Sequence, residues 1–263
     1  MASIVLGPLL RHVGRADATI WVETDAPCEV EVLRQRARTF HVAGHHYALV
    51  VIRGLAAGSH SYEVRLDGER RWPEEGSTFP ASRIRTIGTD DLSLAFGSCR
   101  VAAPQEAPFS LPRRAHRQGH GADALAALAA RMARTSDATW PDALMLLGDQ
   151  VYADAGSPRT RAFIRARRDT SGPHGDEVRD FEEYTQLYAE AWGDPPIRWL
   201  LSTVPSAMIF DDHDVHDDWN TSQAWARGPA WDHASHAHRH TPARPDPRER
   251  VGDRGNGPAR PAH

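Results

Sequence analysis

The stretch Ala143-Leu144-Met145-Leu146-Leu147-Gly148-Asp149-Gln150-Val151-Tyr152 is an apolar run that breaks abruptly into a glycine and a carboxylate. A continuous apolar run of this length predicts a strand covered on both faces. Two other stretches have the same form. Leu92 to Phe96 opens into Gly97-Ser98-Cys99-Arg100. Ser206-Ala207-Met208-Ile209-Phe210 opens into Asp211-Asp212-His213-Asp214-Val215-His216-Asp217-Asp218. Helical patterns lie between them: Asp123 to Arg134, with Asp123 near its N-terminus, Pro158 to Arg168, and Phe181 to Trp192. The last sets Tyr184, Leu187, Tyr188 and Ala191 on one face. Strands alternating with helices are the signature of an α/β sheet, and ligands bind such sheets beyond the carboxyl ends of the strands. The three polar clusters are therefore predicted to converge on one crevice.

Upstream, Ile4 to about Ile87 reads differently. Ala18 to Thr24 is β-branched and aromatic, and Glu29 to Leu33 alternates polar with apolar. Further runs lie at Thr39 to Val42, Tyr47 to Ile52 and Ser61 to Leu66, the last followed by the turn pair Asp67-Gly68. Short strands at this spacing, without a helical period, predict a β-sandwich. Leu55 and Gly58 before Tyr62 fit the tyrosine corner of fibronectin type III-like sandwiches; an ordinary turn is the alternative. Pro73 and Pro80 close the unit, and Gly88-Thr89-Asp90-Asp91 reads as a linker.

Composition narrows the classes. A chain of 263 residues, 40% hydrophobic, suffices for one large domain or two modest ones. Two cysteines exclude a disulfide-stapled scaffold. No apolar run approaches the roughly 20 residues of a membrane helix. The net charge of -4 argues against a general nucleic-acid binder, and all 31 basic residues are arginine.

The chemistry concentrates in Asp211 to Asp218, where aspartates interleaved with His213 and His216 repel one another unless cations or hydrogen bonds compensate. A solvated acidic loop is the alternative. Because the run abuts an apolar strand, its first residues are expected near the interior, which favours a metal site. Cys28, in its β segment, is expected to be a small buried hydrophobe.

Together the strings Phe96-Gly97-Ser98-Cys99-Arg100, Leu147-Gly148-Asp149-Gln150-Val151-Tyr152-Ala153-Asp154 and Ile209 to Asn220 resemble the alkaline phosphatase D (PhoD-like) branch of the calcineurin-like metallophosphoesterases. The resemblance implies an α+β two-domain chain. A fibronectin III-like β-sandwich over 1–87 would precede the first half of an αββα metallophosphoesterase domain over 92–226. It implies hydrolysis of phosphomonoesters or phosphodiesters through two metal ions, Fe(III) and Ca(II), with no organic cofactor. By the same resemblance Cys99 would be a thiolate ligand, Asp149 the bridging carboxylate, Tyr152 a phenolate on iron, and Asp212 a ligand of the second ion. His213 would steady the phosphoryl oxygens or protonate the leaving group. The chemistry is coherent: thiolate and phenolate suit ferric iron, and carboxylates suit a hard divalent ion. Arg100 could pair with a substrate phosphate or with the Asp cluster. Asp214 and His216 are second-layer or solvated groups.

The resemblance runs to about Trp225. Residues 227–263 are rich in Arg, Pro, Ala and His, with Trp231 and Val251 as their sizeable apolar residues. Such a segment cannot bury enough surface to order itself, so disorder is expected. Its composition is what GC-rich DNA yields out of frame; a metal-binding role for His233, His236, His238 and His240 is the competing reading. The family carries further ligands in a later block, so the chain is expected to be C-terminally truncated. The alternative function is therefore a catalytically incomplete form, acting as a binding module through its β-sandwich. Without a basic n-region or a twin-arginine pair before an apolar run, a cytoplasmic location is expected.

Overall fold

The computed structural model describes residues 1–88, 91–102, 106–172, 174–217 and 219. The reading of 227–263 therefore falls outside the described residues. Ten strands form the N-terminal unit: β1 (Ile4–Val13), β2 (Asp17–Thr24), β3 (Glu29–Val32), β4 (Gln35–Arg38), β5 (Phe40–Val42), β6 (His45–Arg53), β7 (Ser59–Ser61), β8 (Val64–Leu66), β9 (Glu69–Trp72) and β10 (Arg83–Arg85). They make two four-stranded antiparallel sheets, ordered β1-β2-β6-β5 and β4-β3-β8-β9, with β10 and β7 as a separate pair. Alternation decides which side chains go inside. Ala18, Ile20 and Val22 of β2, Val50 and Ile52 of β6, and Val30, Val32, Val64 and Leu66 of the other sheet share one core. Asp67 and Gly68, both at positive φ, form the two-residue hairpin turn predicted there.

Ser61 to Leu66 is not the single strand expected. Ser61 pairs with Arg83 in the small sheet, and Val64 pairs with Val32 in the larger one. The chain changes partners at Tyr62, whose ring is buried and whose hydroxyl donates to the carbonyl of Ser202 at 2.5 Å. The Tyr62 hydroxyl thus reaches a distant helix, where a tyrosine corner would send it back to nearby backbone.

The second unit contains β11 (Leu94–Gly97), α1 (Ala124–Met132), β12 (Ala143–Leu147), α2 (Pro158–Arg167), α3 (Phe181–Gly193), α4 (Pro195–Thr203) and β13 (Ser206–Ile209). The three strands form a parallel sheet with β12 in the middle. Asp123 caps α1, its carboxylate accepting from the Leu125 and Ala126 amides. Leu144 and Leu146 pack with α1 and α4 through Ala129, Met132, Ile197 and Leu200.

The sheet is covered on one face among the described residues, not on both. Leu94, Phe96, Met145, Leu147 and Ile209 point the other way, with Phe96 75% and Ile209 61% exposed. The apolar run of β12 is thus explained as half buried and half bare. Helix α4, to which no element was assigned from sequence, is the wedge between the units. Ile197 to Thr203 are all buried, Trp199 donates its indole N–H to the Pro80 carbonyl at 2.7 Å, and Arg198 lies over the Trp72 ring and binds the Gly7 carbonyl. No described helix is long and apolar enough to cross a membrane.

Candidate metal centre

The parallel register aligns Gly97 with Leu146 and Leu147 with Ile209, so all three strands end at one edge. The predicted convergence is therefore real. The loops after β11 and β12 run together: the Cys99 and Arg100 amides donate to the Gly148 and Asp149 carbonyls, each at 3.3 Å. Gly148 sits at φ +108°, and a Cβ there would stand 2.3 Å from the Asp211 Cβ. Only glycine lets the β13 loop approach so closely. Cys99 and Asp149 also occupy the left-handed region, at φ +56° and +50°. Non-glycine residues hold that conformation at a cost of about 1–3 kcal/mol and concentrate at functional sites.

Asp149 is 3% exposed, and its buried Oδ1 has no hydrogen-bond partner among the described residues. Ligand oxygens of Asp149, Asp211 and Asp212 all lie within 4.8 Å of one another. Carboxylates this close repel strongly in a partly buried site, and a cation is the natural compensation. The donor set and the orphaned Asp149 oxygen thus fit a hard metal ion. Sequence reasoning named Asp149 and Asp212 but not Asp211 as ligands. The missed signal was position, since Asp211 is the first carboxylate after the β13 segment and faces Gly148.

Cys99 and Tyr152 stand beside this cluster. The Ser98 hydrogen bond favours the thiolate of the exposed Cys99, but Asp149, slight desolvation and the Asp211 charge outweigh it and leave the thiol pKa raised. Burial, then the charges of Asp149, Cys99, Asp154 and Asp214, push the Tyr152 phenol up to about 12. Both groups would need a nearby cation to deprotonate at neutral pH.

The Tyr152 and His213 rings are 4.6 Å apart, and His213 Nδ1 lies 3.1 Å from an Asp154 oxygen. Asp154 is a second residue missed as a functional candidate, although it falls inside the string after β12. It fixes the imidazole's orientation, and the His213 carbonyl accepts from the Ala153 amide at 2.9 Å. Burial would lower the His213 pKa, but Asp154, Asp217 and Asp149 more than reverse this and raise it.

Asp214 is not solvated. It is 4% exposed, and its carboxylate accepts from the Gln150, Val151 and Asp211 amides at 2.9, 3.1 and 3.0 Å, stapling the β12 and β13 loops together. Arg100 does not pair with the Asp cluster. Its guanidinium bonds Asp123 at 2.8 and 2.9 Å and the Ala191 carbonyl at 3.0 Å, so a phosphate would have to displace these partners. His216 Nδ1 faces Glu177 at 3.8 Å, with its backbone amide on the Asp212 carbonyl.

Two family matches cover most of the chain. Residues 120–246 match the PhoD-like phosphatase family, and residues 1–84 match a family described as Domain of unknown function (DUF7800). Asp149, Tyr152 and Asp211 to Asp214 lie inside the phosphatase match, whereas Cys99 and Arg100 lie between the two. The phosphatase match continues past Trp225 to residue 246. A search of curated proteins finds no match to the chain.

Proposed function

We propose that this chain, which carries a PhoD-like phosphatase domain over residues 120–246, hydrolyses phosphomonoesters or phosphodiesters at the Asp149–Asp211–Asp212 cluster. The observation that carries the reading is the buried, unpartnered Asp149 oxygen at the carboxyl end of a parallel sheet. Two cations, of which Fe(III) and Ca(II) best suit the donors, would be held by Cys99, Asp149, Tyr152 and Asp212, with Asp211 as an added ligand. Bound there, such ions supply Lewis acidity and a hydroxide nucleophile for in-line displacement at phosphorus. The chain's own residues do the rest. Asp149, in the loop after the central strand β12, supplies its buried carboxylate to the cluster. Asp154 holds the His213 Nδ1–H, and Nε2 on the opposite edge, now 3.6 Å from an exposed Asp217 oxygen, would exchange that contact to steady a phosphoryl oxygen or deliver a proton to the departing alkoxide. The Asp214 staple keeps both loops in register as charge develops. The two antiparallel sheets are read as a fibronectin III-like sandwich and the parallel sheet as the first half of an αββα core.

The bare face of that sheet favours a second reading, a chain that folds without completing its catalytic domain. One experiment separates the two. Metal content and turnover of bis(p-nitrophenyl) phosphate are measured on the full chain and on Asp149→Ala, with circular dichroism to establish folding. The phosphoesterase reading expects bound iron and at least a 100-fold drop in turnover in the variant. Equal background rates with no bound metal would establish the incomplete form.

A further inference from the structure

A hollow of about 230 Å³ shares Tyr152 with the metal site and has Arg113, His120, Ser157 and Glu190 in its other walls. That is smaller than the roughly 300–1,000 Å³ of pockets that take whole drug-sized ligands, so it suits one chemical group. Its charge is supplied by the segment from Glu106 to Gly121, which carries Arg113, Arg114, Arg117, His116 and His120 against one carboxylate. The segment is held in shape by its own backbone. The His120 amide donates to the Phe109 carbonyl at 2.8 Å and the Gly121 amide to the Leu111 carbonyl at 3.0 Å. Gly119 is packed so closely that a Cβ would lie 2.3 Å from the Leu111 carbonyl oxygen.

The cationic groups in this hollow differ in what they are doing. Arg100 is neutralised by Asp123. Glu190, the carboxylate in the wall, accepts the Thr160 hydroxyl at 2.8 Å and keeps its charge, so a bound anion must lie on the Arg113 and His120 side. Arg113 makes no ion pair or side-chain hydrogen bond among the described residues, so within them its guanidinium fork is uncommitted beside an otherwise acidic site. A phosphate or carboxylate matches that fork, and the hollow adjoins Tyr152 of the metal centre.

We propose that this hollow is an anion subsite in which Arg113, assisted by His120, holds a second negatively charged group of the substrate. The assignment builds on the phosphoesterase reading and narrows its substrates to polyanionic esters, in which another phosphate or carboxylate lies along the chain from the scissile phosphorus. A minimal diester with one charge leaves the subsite empty.

The test reads binding, not turnover, so that it stands apart from the metal reading. Tripolyphosphate is titrated calorimetrically into the Asp149→Ala chain, whose carboxylate cluster is disabled, and into the native chain with EDTA present. Adding Arg113→Ala is expected to weaken binding about tenfold and Arg113→Lys to restore part of it. Arg38→Ala, an equal charge change on the exposed strand β4, should leave affinity within twofold. Absence of binding in both parent samples overturns the subsite, as does equal loss in the Arg113→Ala and Arg38→Ala chains. If tripolyphosphate binds but the native chain proves metal-free and inactive, the subsite stands and the hydrolytic reading falls.

Discussion

Asp214 shows how one side chain can determine a site without touching substrate. Its two oxygens accept three backbone N–H groups, two from the loop after β12 and one from the loop after β13. Those loops also carry Asp149 and Asp211, so the distance between the two carboxylates is set by Asp214. An amide in its place offers one oxygen and turns an NH₂ toward at least one of the three donors. Hydrogen bonds to buried charged groups are worth about 1.5–3 kcal/mol each, and an unmet donor adds its desolvation cost. Asp214→Asn is therefore expected to cost about 2–4 kcal/mol in urea denaturation. Asp217→Asn, at a side chain 63% exposed, should stay within about 0.5 kcal/mol. Equal, small effects in both variants would mean that the loops hold their spacing without the staple.

At the scale of elements, α4 joins the two units. Tyr62 from the β unit donates to the Ser202 carbonyl, and the Ser82 and Ser202 hydroxyls meet at 2.6 Å beside the Trp72 indole. This buried polar seam is closed by groups from both sides. Tyr62→Phe keeps the ring and removes the donor, leaving buried polar atoms on α4 short of a partner. A loss of about 1–3 kcal/mol is expected in equilibrium unfolding, with the far-ultraviolet spectrum unchanged. Neutrality would show that water replaces the hydroxyl. The same helix marks where sequence stops being legible. Strands of the first unit such as β3 were readable from a period of two, the parallel strands from continuous apolar runs, and α1 to α3 because each has one wet face. A helix buried along Ile197 to Thr203 has no such period, and its signals were Asp194 at the cap and Pro195 in the first turn. The site divides in the same way. Strand-end position pointed to the three clusters, and the family resemblance singled out Cys99, Asp149, Tyr152, Asp212 and His213 within them. The roles of Asp211, Asp154 and Asp214 depend on how two loops fold against each other, which no single stretch of chain encodes.

Across the whole molecule, the bare sheet face and the joint between the units are the features set by no single element. Leu94, Phe96, Met145, Leu147, Ile209 and Phe210 are exposed apolar residues of the sheet and its margin, whereas the joint packs Leu9, Trp21 and Phe79 against Trp199 and Leu200 and also carries a titratable cluster. At that joint His45 of β6 lies 2.6 Å from Glu23 of β2 through Nδ1 and 3.2 Å from Glu182 of α3 through Nε2. A neutral imidazole has one N–H, so serving both carboxylates requires the imidazolium. Burial alone would lower the His45 pKa, but the Glu23 and Glu182 hydrogen bonds and charges reverse this and raise it. Tyr47, stacked on the ring at 6.1 Å, is itself pushed up to about 12 by burial and the same carboxylates, and stays neutral through this range. Phe181 meets the imidazole edge-on and carries no charge. A folded-state pKa above the unfolded value stabilises the protein at low pH. The contribution is complete below about pH 6.5, the ordinary histidine value, and is lost as pH rises through the raised pKa. Stability measured from pH 6 upward should therefore fall by about 1.5–3 kcal/mol more in the native chain than in His45→Gln, the scale of one charge-assisted hydrogen bond. Taking the difference between the two chains removes the titration of His213 and the other histidines. Identical pH slopes would mean that the histidine contributes nothing, the units being held by α4 and by the Arg83 and Arg85 bonds to Asp137 and Asp142.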